Sequence, residues 1–125
     1  MMKIKNVSLG LLFSMVLVFP VLITCEKPFE KEAFFVVENS STLYAITGVY
    51  YAHTGFGSNR ISSNIQPGSS RTFTLSAEGD YIYNIQVTSN HPSLSTYSND
   101  GIHFYEDRRI TINLTDNEWE ESYPW

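Results

Sequence analysis

Three histidines, His53, His91 and His103, are the residues best suited to hold a metal ion or to move a proton in this chain of 125 residues. Their spacing contains no His-x-x-x-His pair, and the single cysteine cannot supply the paired thiolates of a zinc site. We therefore interpret the three histidines as non-functional, and we predict no metal ion and no cofactor.

Serine and carboxylate side chains give no stronger sign of catalysis. The serines cluster in turn-like segments, and the chain has no Gly-x-Ser-x-Gly elbow. The nearest group of carboxylates is Asp100, Glu106 and Asp107, which we interpret as solvent-facing neighbours of a hairpin at Asn99-Asp100-Gly101. We predict that the protein is not an enzyme. A hydrolase that uses these carboxylates, and a calcium ion bound by turn carboxylates, stay open as alternatives.

Aromatic side chains are the more informative candidates. The chain has 8 Tyr, 8 Phe and 2 Trp, and several of them fall at predicted strand ends, in loops or near the C-terminus. Tyrosine and tryptophan combine a large apolar surface with a polar group, so an exposed cluster can stack on sugar rings or anchor a protein interface. Our candidate ligand-binding residues are Phe56, Tyr97, Tyr105 and Trp119. The alternative is that such residues only cover the ends of the core.

The N-terminal segment has the layout of an export signal. Two lysines precede an uncharged, mostly apolar run over 7–23, and Cys25 follows directly. This run is shorter than the roughly 20 residues that a membrane-spanning helix needs. A lone cysteine in an exported protein cannot form an internal disulfide, so its position requires another explanation.

Leu22-Ile23-Thr24-Cys25 resembles the lipobox of bacterial lipoproteins, in which a leucine stands three positions before the modified cysteine. Thr24 departs from the Gly, Ala or Ser that is usual before the cysteine. The resemblance implies a diacylglycerol on the Cys25 sulfur, cleavage before Cys25 and acylation of the new N-terminus. Several acyl chains would anchor the protein stably, because one chain alone binds a membrane only marginally. An uncleaved transmembrane anchor and an incidental Cys25 are the alternatives.

The charge balance narrows the class of partner. Without residues 1–24 the chain keeps six basic and thirteen acidic side chains. This net negative charge disfavours nucleic acids and anionic lipid surfaces as partners.

From Ala33 onward the sequence predicts β-strands. Alternating apolar and polar residues recur in short runs separated by turn signals such as Pro67-Gly68 and Glu78-Gly79-Asp80. We also expect a strand over 43–51, a short edge strand over 61–65, and strands near 94–97 and 102–105. No segment shows a sustained helical period, so we predict an all-β fold, a single antiparallel β-sandwich of seven or eight short strands. The expected core residues are Phe35, Val37, Ile46, Val49, Phe73, Leu75, Tyr83, Ile85, Ile110, Ile112 and Leu114.

The order of four motifs resembles that of a loose group of small exported bacterial β-sandwich domains. These motifs are Asn39-Ser40-Ser41, Ile46-x-x-Val49-Tyr50, Ile65-x-Pro67-Gly68-x-Ser70 and Gly79-Asp80-Tyr81. The resemblance covers most of 33–115 and implies an immunoglobulin-like or small Greek-key sandwich. This chain lacks the tryptophan that such a domain would be expected to have near Phe56. The resemblance implies no particular function.

Together these features predict a lipid-anchored bacterial protein. We expect a signal-peptide helix over 1–24, a lipidated cysteine and tether over 25–32, a β-sandwich over 33–115 and an acidic, aromatic C-terminal tail over 116–125. Its location would be the cell membrane or the outer membrane, facing the periplasm or the cell exterior. We expect a non-enzymatic binding or structural module whose partner is an envelope protein or a glycan. An anchored inhibitor of a lysozyme or protease, acting through Phe56 or the loop over 90–97, is the alternative.

Overall fold

The computed structural model describes residues 29–124. The predicted signal segment, Cys25 and Trp125 lie outside the described residues. Within 29–124 the chain forms seven strands and no helix. The strands are β1 (Glu32–Asn39), β2 (Ile46–Ala52), β3 (Ser70–Ser76), β4 (Ile82–Ser89), β5 (Thr96–His103), β6 (Arg109–Leu114) and β7 (Trp119–Ser122).

The strands form two sheets. The four-stranded sheet has the order β3-β1-β6-β7, and the three-stranded sheet has the order β2-β4-β5. The prediction of an all-β sandwich is confirmed. One pair departs from the antiparallel expectation, because β1 lies parallel to β6 with Phe35 opposite Ile110 and Val37 opposite Ile112.

The core lies between the two sheets and follows the predicted alternation. On β1, Ala33, Phe35 and Val37 are fully buried, and on β6 Ile110, Ile112 and Leu114 are. Of the expected core residues, Phe73 alone is only half-buried. The core also contains residues that the sequence did not single out, namely Ile61, Ile65, Val87, Ile102 and Phe104.

The Pro67-Gly68 turn has the predicted form. Ser69 N–H donates to the Gln66 carbonyl at 3.0 Å, and Gly68 has φ of 83°. Proline at the second position and a positive φ at the third define a type II turn. This turn starts β3 beside the end of β1, where Gly68 N–H donates to the Asn39 carbonyl at 2.7 Å.

The segment over 61–65 was predicted as an edge strand, and it forms only one bridge, between Ile46 and Ile65. Just before it, the Asn59 side chain accepts from Val49 N–H at 3.0 Å and donates to the Thr47 carbonyl at 3.2 Å. The Asn59 side chain thus makes the hydrogen bonds to β2 that the backbone of a paired strand would otherwise make. The segment covers the free edge of β2, which would otherwise be open to pairing with another chain.

A single strand, β5, replaces the two strands predicted over 94–97 and 102–105. Asn99-Asp100-Gly101, expected as a hairpin, lies inside this strand. Gly101 takes φ of 72°, and the β4–β5 register shifts between Tyr83 and Ile85. A bulge therefore absorbs the turn-forming residues without reversing the chain. The strand predicted over 43–51 also starts later than expected, because β2 begins at Ile46 and leaves 43–45 in a loop.

The C-terminal segment, predicted as a tail, contributes β7 to the larger sheet. Leu114 pairs with Trp119 and Thr111 with Ser122. The N-terminal segment is also attached, because the Glu78 carboxylate accepts from the backbone N–H groups of Glu30 and Lys31. The described part of the predicted tether, 29–32, therefore lies on the domain. Because β1 runs from Glu32 to Asn39, the chain enters at one end of the sandwich and the loop over 39–45 lies at the other.

Residues 29–124 contain no helix that is long enough and apolar enough to cross a bilayer.

Candidate binding site

A row of aromatic side chains closes one side of the sandwich, where β5 and β7 approach each other as the free edges of the two sheets. Tyr97 on β5 has its ring centroid 6.0 Å from that of Trp119 on β7. Both side chains are half-buried against the core. The structure thus brings together two of the four predicted site residues that lie 22 positions apart in sequence.

A hydrogen-bond network connects Tyr97 to residues that follow Trp119 in the chain. The Tyr97 hydroxyl donates to the Glu121 carboxylate and lies 2.6 Å from the Tyr123 hydroxyl. Asn99 Nδ2 also donates to the Tyr123 hydroxyl at 3.3 Å. Burial and the hydrogen bond to Glu121 raise the pKa of Tyr97 well above its usual range, and burial raises the pKa of Tyr123. Both hydroxyls therefore stay protonated at neutral pH and can donate.

Arg108 links Tyr123 to the third predicted residue, Tyr105. Its guanidinium carbon lies 5.9 Å from the Tyr123 ring centroid and 5.7 Å from that of Tyr105. These are distances at which a cation interacts favourably with an aromatic face. Arg108 Nη1 also donates to the His103 carbonyl at 2.7 Å, which fixes the side chain in this position.

A tight turn sets the relative positions of Tyr105 and Arg108. Arg108 N–H donates to the Tyr105 carbonyl at 2.9 Å, and Asp107 between them has φ of 65°. Non-glycine residues adopt a positive φ infrequently, and aspartate is among those that tolerate it best. The turn also binds β1, because Asp107 N–H donates to the Glu32 carbonyl at 2.7 Å.

Tyr81 ends the row beside Tyr105, with ring centroids 5.2 Å apart. His103 supports Tyr105 through a 2.7 Å contact between its Nδ1 atom and the Tyr105 hydroxyl. We call this row the aromatic seam. It consists of Tyr81, Tyr97, Tyr105, Arg108, Trp119 and Tyr123.

A shallow pocket of about 270 Å³ opens on the aromatic seam, lined by Gly101, Ile102, His103, Arg108 and Tyr123. Among residues 29–124, two buried side-chain nitrogens have no hydrogen-bond partner, Arg108 Nε and Trp119 Nε1. Both belong to the aromatic seam. A buried donor without an acceptor costs about 1–3 kcal/mol, so these two nitrogens lower the stability of the folded domain.

Phe56, the fourth predicted residue, does not join the others. It is half-buried in the loop after β2, whereas the aromatic seam follows β5, and β2 and β5 are opposite edges of the three-stranded sheet. This separation could not be predicted from local patterns, because distance along the chain does not show which sheet edge a loop joins.

A second pocket, of about 430 Å³, lies between the edges of β2 and β3, and Phe56 is not part of its lining. Two of its polar side chains are already paired. Arg60 Nη2 donates to the Tyr51 carbonyl at 2.7 Å and its guanidinium stacks 4.1 Å from the Tyr51 ring centroid. The Tyr83 hydroxyl donates to the Ser76 carbonyl at 2.9 Å. Phe29 of the N-terminal segment forms part of its wall. These contacts favour a structural role for this pocket.

The histidines are dispersed. His53 lies 3.5 Å from Asp80 at the end of the sandwich where the chain enters, and His91 is buried at the other end. His91 Nδ1 accepts from the N–H groups of Ser93 and Leu94, and Nε2 lies 2.9 Å from the Asp116 carbonyl. Within the described part of the chain, no three His, Cys, Asp or Glu side chains come close enough to share a metal ion. Asp100, Glu106 and Asp107 are all exposed.

The loop over 39–45 carries the most exposed large apolar side chain of residues 29–124, Leu43, which is 78% exposed. Three side chains hold this loop rigidly. Asn39 Nδ2 donates to the Tyr44 carbonyl at 2.8 Å, Asp116 Oδ1 accepts from Thr42 N–H at 2.8 Å, and Asn90 Oδ1 accepts from Ala45 N–H at 2.9 Å. Leu43 therefore projects from a fixed support.

Sequence reasoning missed Tyr81, Arg108 and Leu43 as site residues. The pattern around Leu43 predicted a strand, which would have buried it. Nothing in the local sequence marks Arg108, whose role depends on Tyr105 and Tyr123, which follow two different strands.

Comparison with known proteins adds little to this geometry. No protein-family model matches the chain, and no curated protein matches it in sequence. One solved structure that is similar is described as the crystal structure of a Gram negative toxin, with a TM-score of 0.46 and 14% sequence identity. The match covers 74% of this chain and 22% of that one, so this chain spans about a fifth of the toxin's length.

Proposed function

We propose that this protein is a bacterial lipoprotein, anchored by acyl chains on Cys25, that acts at the cell envelope as a non-enzymatic binding module. The apolar leader that ends at a lone cysteine supports the anchor. The dispersed histidines and exposed carboxylates give no nucleophile with an aligned base among residues 29–124. The domain would face the periplasm or the cell exterior.

The observation that carries the binding role is the aromatic seam. Three of the four aromatic residues chosen from the sequence, Tyr97, Tyr105 and Trp119, converge on one side of the sandwich with a pocket beside them. The lining of this pocket includes the Arg108 guanidinium and the Tyr123 hydroxyl, which can donate hydrogen bonds to a bound molecule.

Metabolic labelling with a palmitate analogue tests the anchor. Cells that express the wild-type chain should incorporate label into this protein and retain it in the membrane fraction. The Cys25→Ala variant should incorporate none. An unlabelled wild-type protein recovered in the soluble fraction would refute the lipoprotein assignment.

A pull-down from envelope fractions tests the binding role. The wild-type chain should retain an envelope protein or glycan that Tyr105→Ala loses, whereas Tyr50→Ala, on the outer face of the three-stranded sheet, should retain it. If the retained material is identical for all three proteins, the aromatic seam is not the binding site.

An anchored inhibitor is a second candidate, favoured by the loop that carries Leu43. Rigid loops with an exposed apolar residue lose little conformational entropy on binding, as inhibitors of enzyme clefts require. The loop lies at the opposite end of the sandwich from the N-terminal segment, so an anchored domain would present it away from the membrane. This position differs from the Phe56 and 90–97 loops that the sequence suggested.

The inhibitor reading predicts that the full chain slows a lysozyme or a protease at a stoichiometric ratio. Leu43→Asp should abolish the inhibition because it would place a charge in an apolar subsite, while Leu43→Met should retain most of it. If inhibition is absent against a panel of both enzyme classes, or is equal for Leu43→Asp and Leu43→Met, this second candidate is wrong.

A further inference from the structure

We infer that the aromatic seam binds a neutral polysaccharide, whose sugar units lie along the row from Trp119 to Tyr81. This inference rests on the proposed binding function and names the chemical class of its ligand. Stacking, hydrogen bonding and charge each support it.

The first argument is the series of contacts that connects the rings. Successive contacts run from Trp119 to Tyr97, from Tyr97 to Tyr123, through Arg108 to Tyr105 and on to Tyr81. Sugar rings have apolar C–H faces that stack on aromatic side chains, and a row of rings offers several such positions in sequence. Tyr105, at 38% exposed, is the most accessible of these platforms.

The second argument is the set of hydrogen-bonding groups at the pocket, which is lined by His103, Arg108 and Tyr123. The Arg108 guanidinium and the Tyr123 hydroxyl can donate. A sugar hydroxyl or ring oxygen supplies an acceptor, and the hydroxyl can in turn donate to a carboxylate. Glu121 and Asp100, on the two strands that border the aromatic seam, provide such carboxylates.

The third argument is charge, which selects neutral over anionic polysaccharides. Glu121 lies on β7, Asp100 lies on β5, and Glu106 and Asp107 lie in the turn that holds Tyr105. Arg108 is the basic residue of this row, and its guanidinium already contacts two tyrosine rings and a backbone carbonyl. These carboxylates outnumber the basic groups and would repel a polyuronate. They would not repel a neutral chain.

Affinity electrophoresis tests this inference directly. The full chain, purified in detergent, would be run through gels that contain a neutral β-glucan, a mannan or a galactan, and through gels that contain a polyuronate. We expect retardation in at least one neutral polysaccharide and none in the polyuronate. Titration of the retarding polysaccharide, followed by tryptophan fluorescence, gives the dissociation constant, because Trp119 lies in the aromatic seam.

Three substitutions assign the site. Tyr105→Ala, which removes an exposed ring, and Arg108→Gln should each weaken binding by about tenfold, the loss typical of a central contact residue. Tyr50→Ala is the matched control, since it removes a half-buried tyrosine from a face away from the aromatic seam, and it should leave the dissociation constant unchanged. Thermal unfolding of each variant identifies any that fail to fold. Tyr105→Phe removes the hydroxyl but keeps the ring, so it tests stacking separately from hydrogen bonding.

Three results would overturn the inference. The first is no retardation in any neutral polysaccharide, and the second is a retardation in the polyuronate that equals or exceeds the retardation in the neutral polysaccharides. The third is equal affinity of wild type, Tyr105→Ala and Arg108→Gln. The proposed function is tested separately. If the protein is lipidated on Cys25 and retains an envelope protein through Tyr105, the binding module stands and only the polysaccharide is wrong.

Discussion

Replacing Asn39 with alanine should destabilise the domain strongly although this residue is polar and lies at a strand end. Asn39 is 2% exposed. Its amide nitrogen donates to the Tyr44 carbonyl at 2.8 Å and to the Ile65 carbonyl at 2.9 Å. Its amide oxygen accepts from Ser41 N–H at 3.1 Å and from Ser41 Oγ at 2.5 Å. One side chain thus joins β1 to two loops that come from different parts of the chain.

The expected loss follows from these contacts. A hydrogen bond contributes about 0.5–1.5 kcal/mol net to stability, and the alanine variant loses all four. The loss is not larger because both carbonyls can still accept a hydrogen bond: Ile65 from Ile46 N–H, and Tyr44 from the Ser41 hydroxyl, whose single hydrogen no longer goes to Asn39. We expect the free energy of unfolding to fall by about 3 kcal/mol. For a domain of this size that corresponds to a melting temperature lower by roughly 12–24 °C.

Urea unfolding followed by tryptophan fluorescence measures this change. Asn64→Ala is the matched control, because Asn64 is exposed and its side chain makes no hydrogen bond to any residue of 29–124. The control should lie within about 0.5 kcal/mol of wild type. If Asn39→Ala loses less than about 1 kcal/mol, the buried amide does not hold the loop over 39–45, and the rigidity assigned to Leu43 loses its basis.

Three further changes test other parts of the structure. Phe104→Ala should lower the free energy of unfolding by about 3–5 kcal/mol, because this side chain is fully buried, and a loss below about 1 kcal/mol would place it outside the core. His91→Phe keeps a ring but removes contacts to two backbone N–H groups and one carbonyl, so we expect a loss of about 2–3 kcal/mol, and unchanged urea unfolding would contradict these contacts. The raised pKa values of Tyr83, Tyr97 and Tyr123 mean that the folded state favours the protonated phenols. Their contribution is complete below about pH 10 and is lost as the pH rises further, so the urea midpoint should fall above about pH 10, and less so in a variant with Tyr97→Phe.

The strands that the sequence predicted well are those whose burial follows a period of two. Phe35 and Val37, or Ile110 and Ile112, alternate with residues of the outer face, and one buried face is enough to specify such a strand. The turn at Pro67-Gly68 was predicted equally well, because a fixed proline φ and a glycine with positive φ are local requirements of one turn type.

The elements that the sequence misassigned depend on pairing partners. Trp119–Ser122 has too many charged residues to predict a strand, and it becomes β7 because β6 offers it a free edge. Asn99-Asp100-Gly101 has the composition of a hairpin, yet pairing with β4 keeps it inside β5 and turns the local preference into a bulge.

The sequence alone therefore indicated local features: the all-β pattern, most of the core positions, and an apolar run over 7–23 followed by Cys25. Which aromatic side chains lie together depends on the tertiary structure. Tyr97, Tyr105 and Trp119 converge because β5 and β7 are the neighbouring edges of two sheets, while Phe56 follows β2 at the far edge. Sheet order is set by long-range pairing and by burial of the whole core, and neither is encoded in the spacing of any one segment.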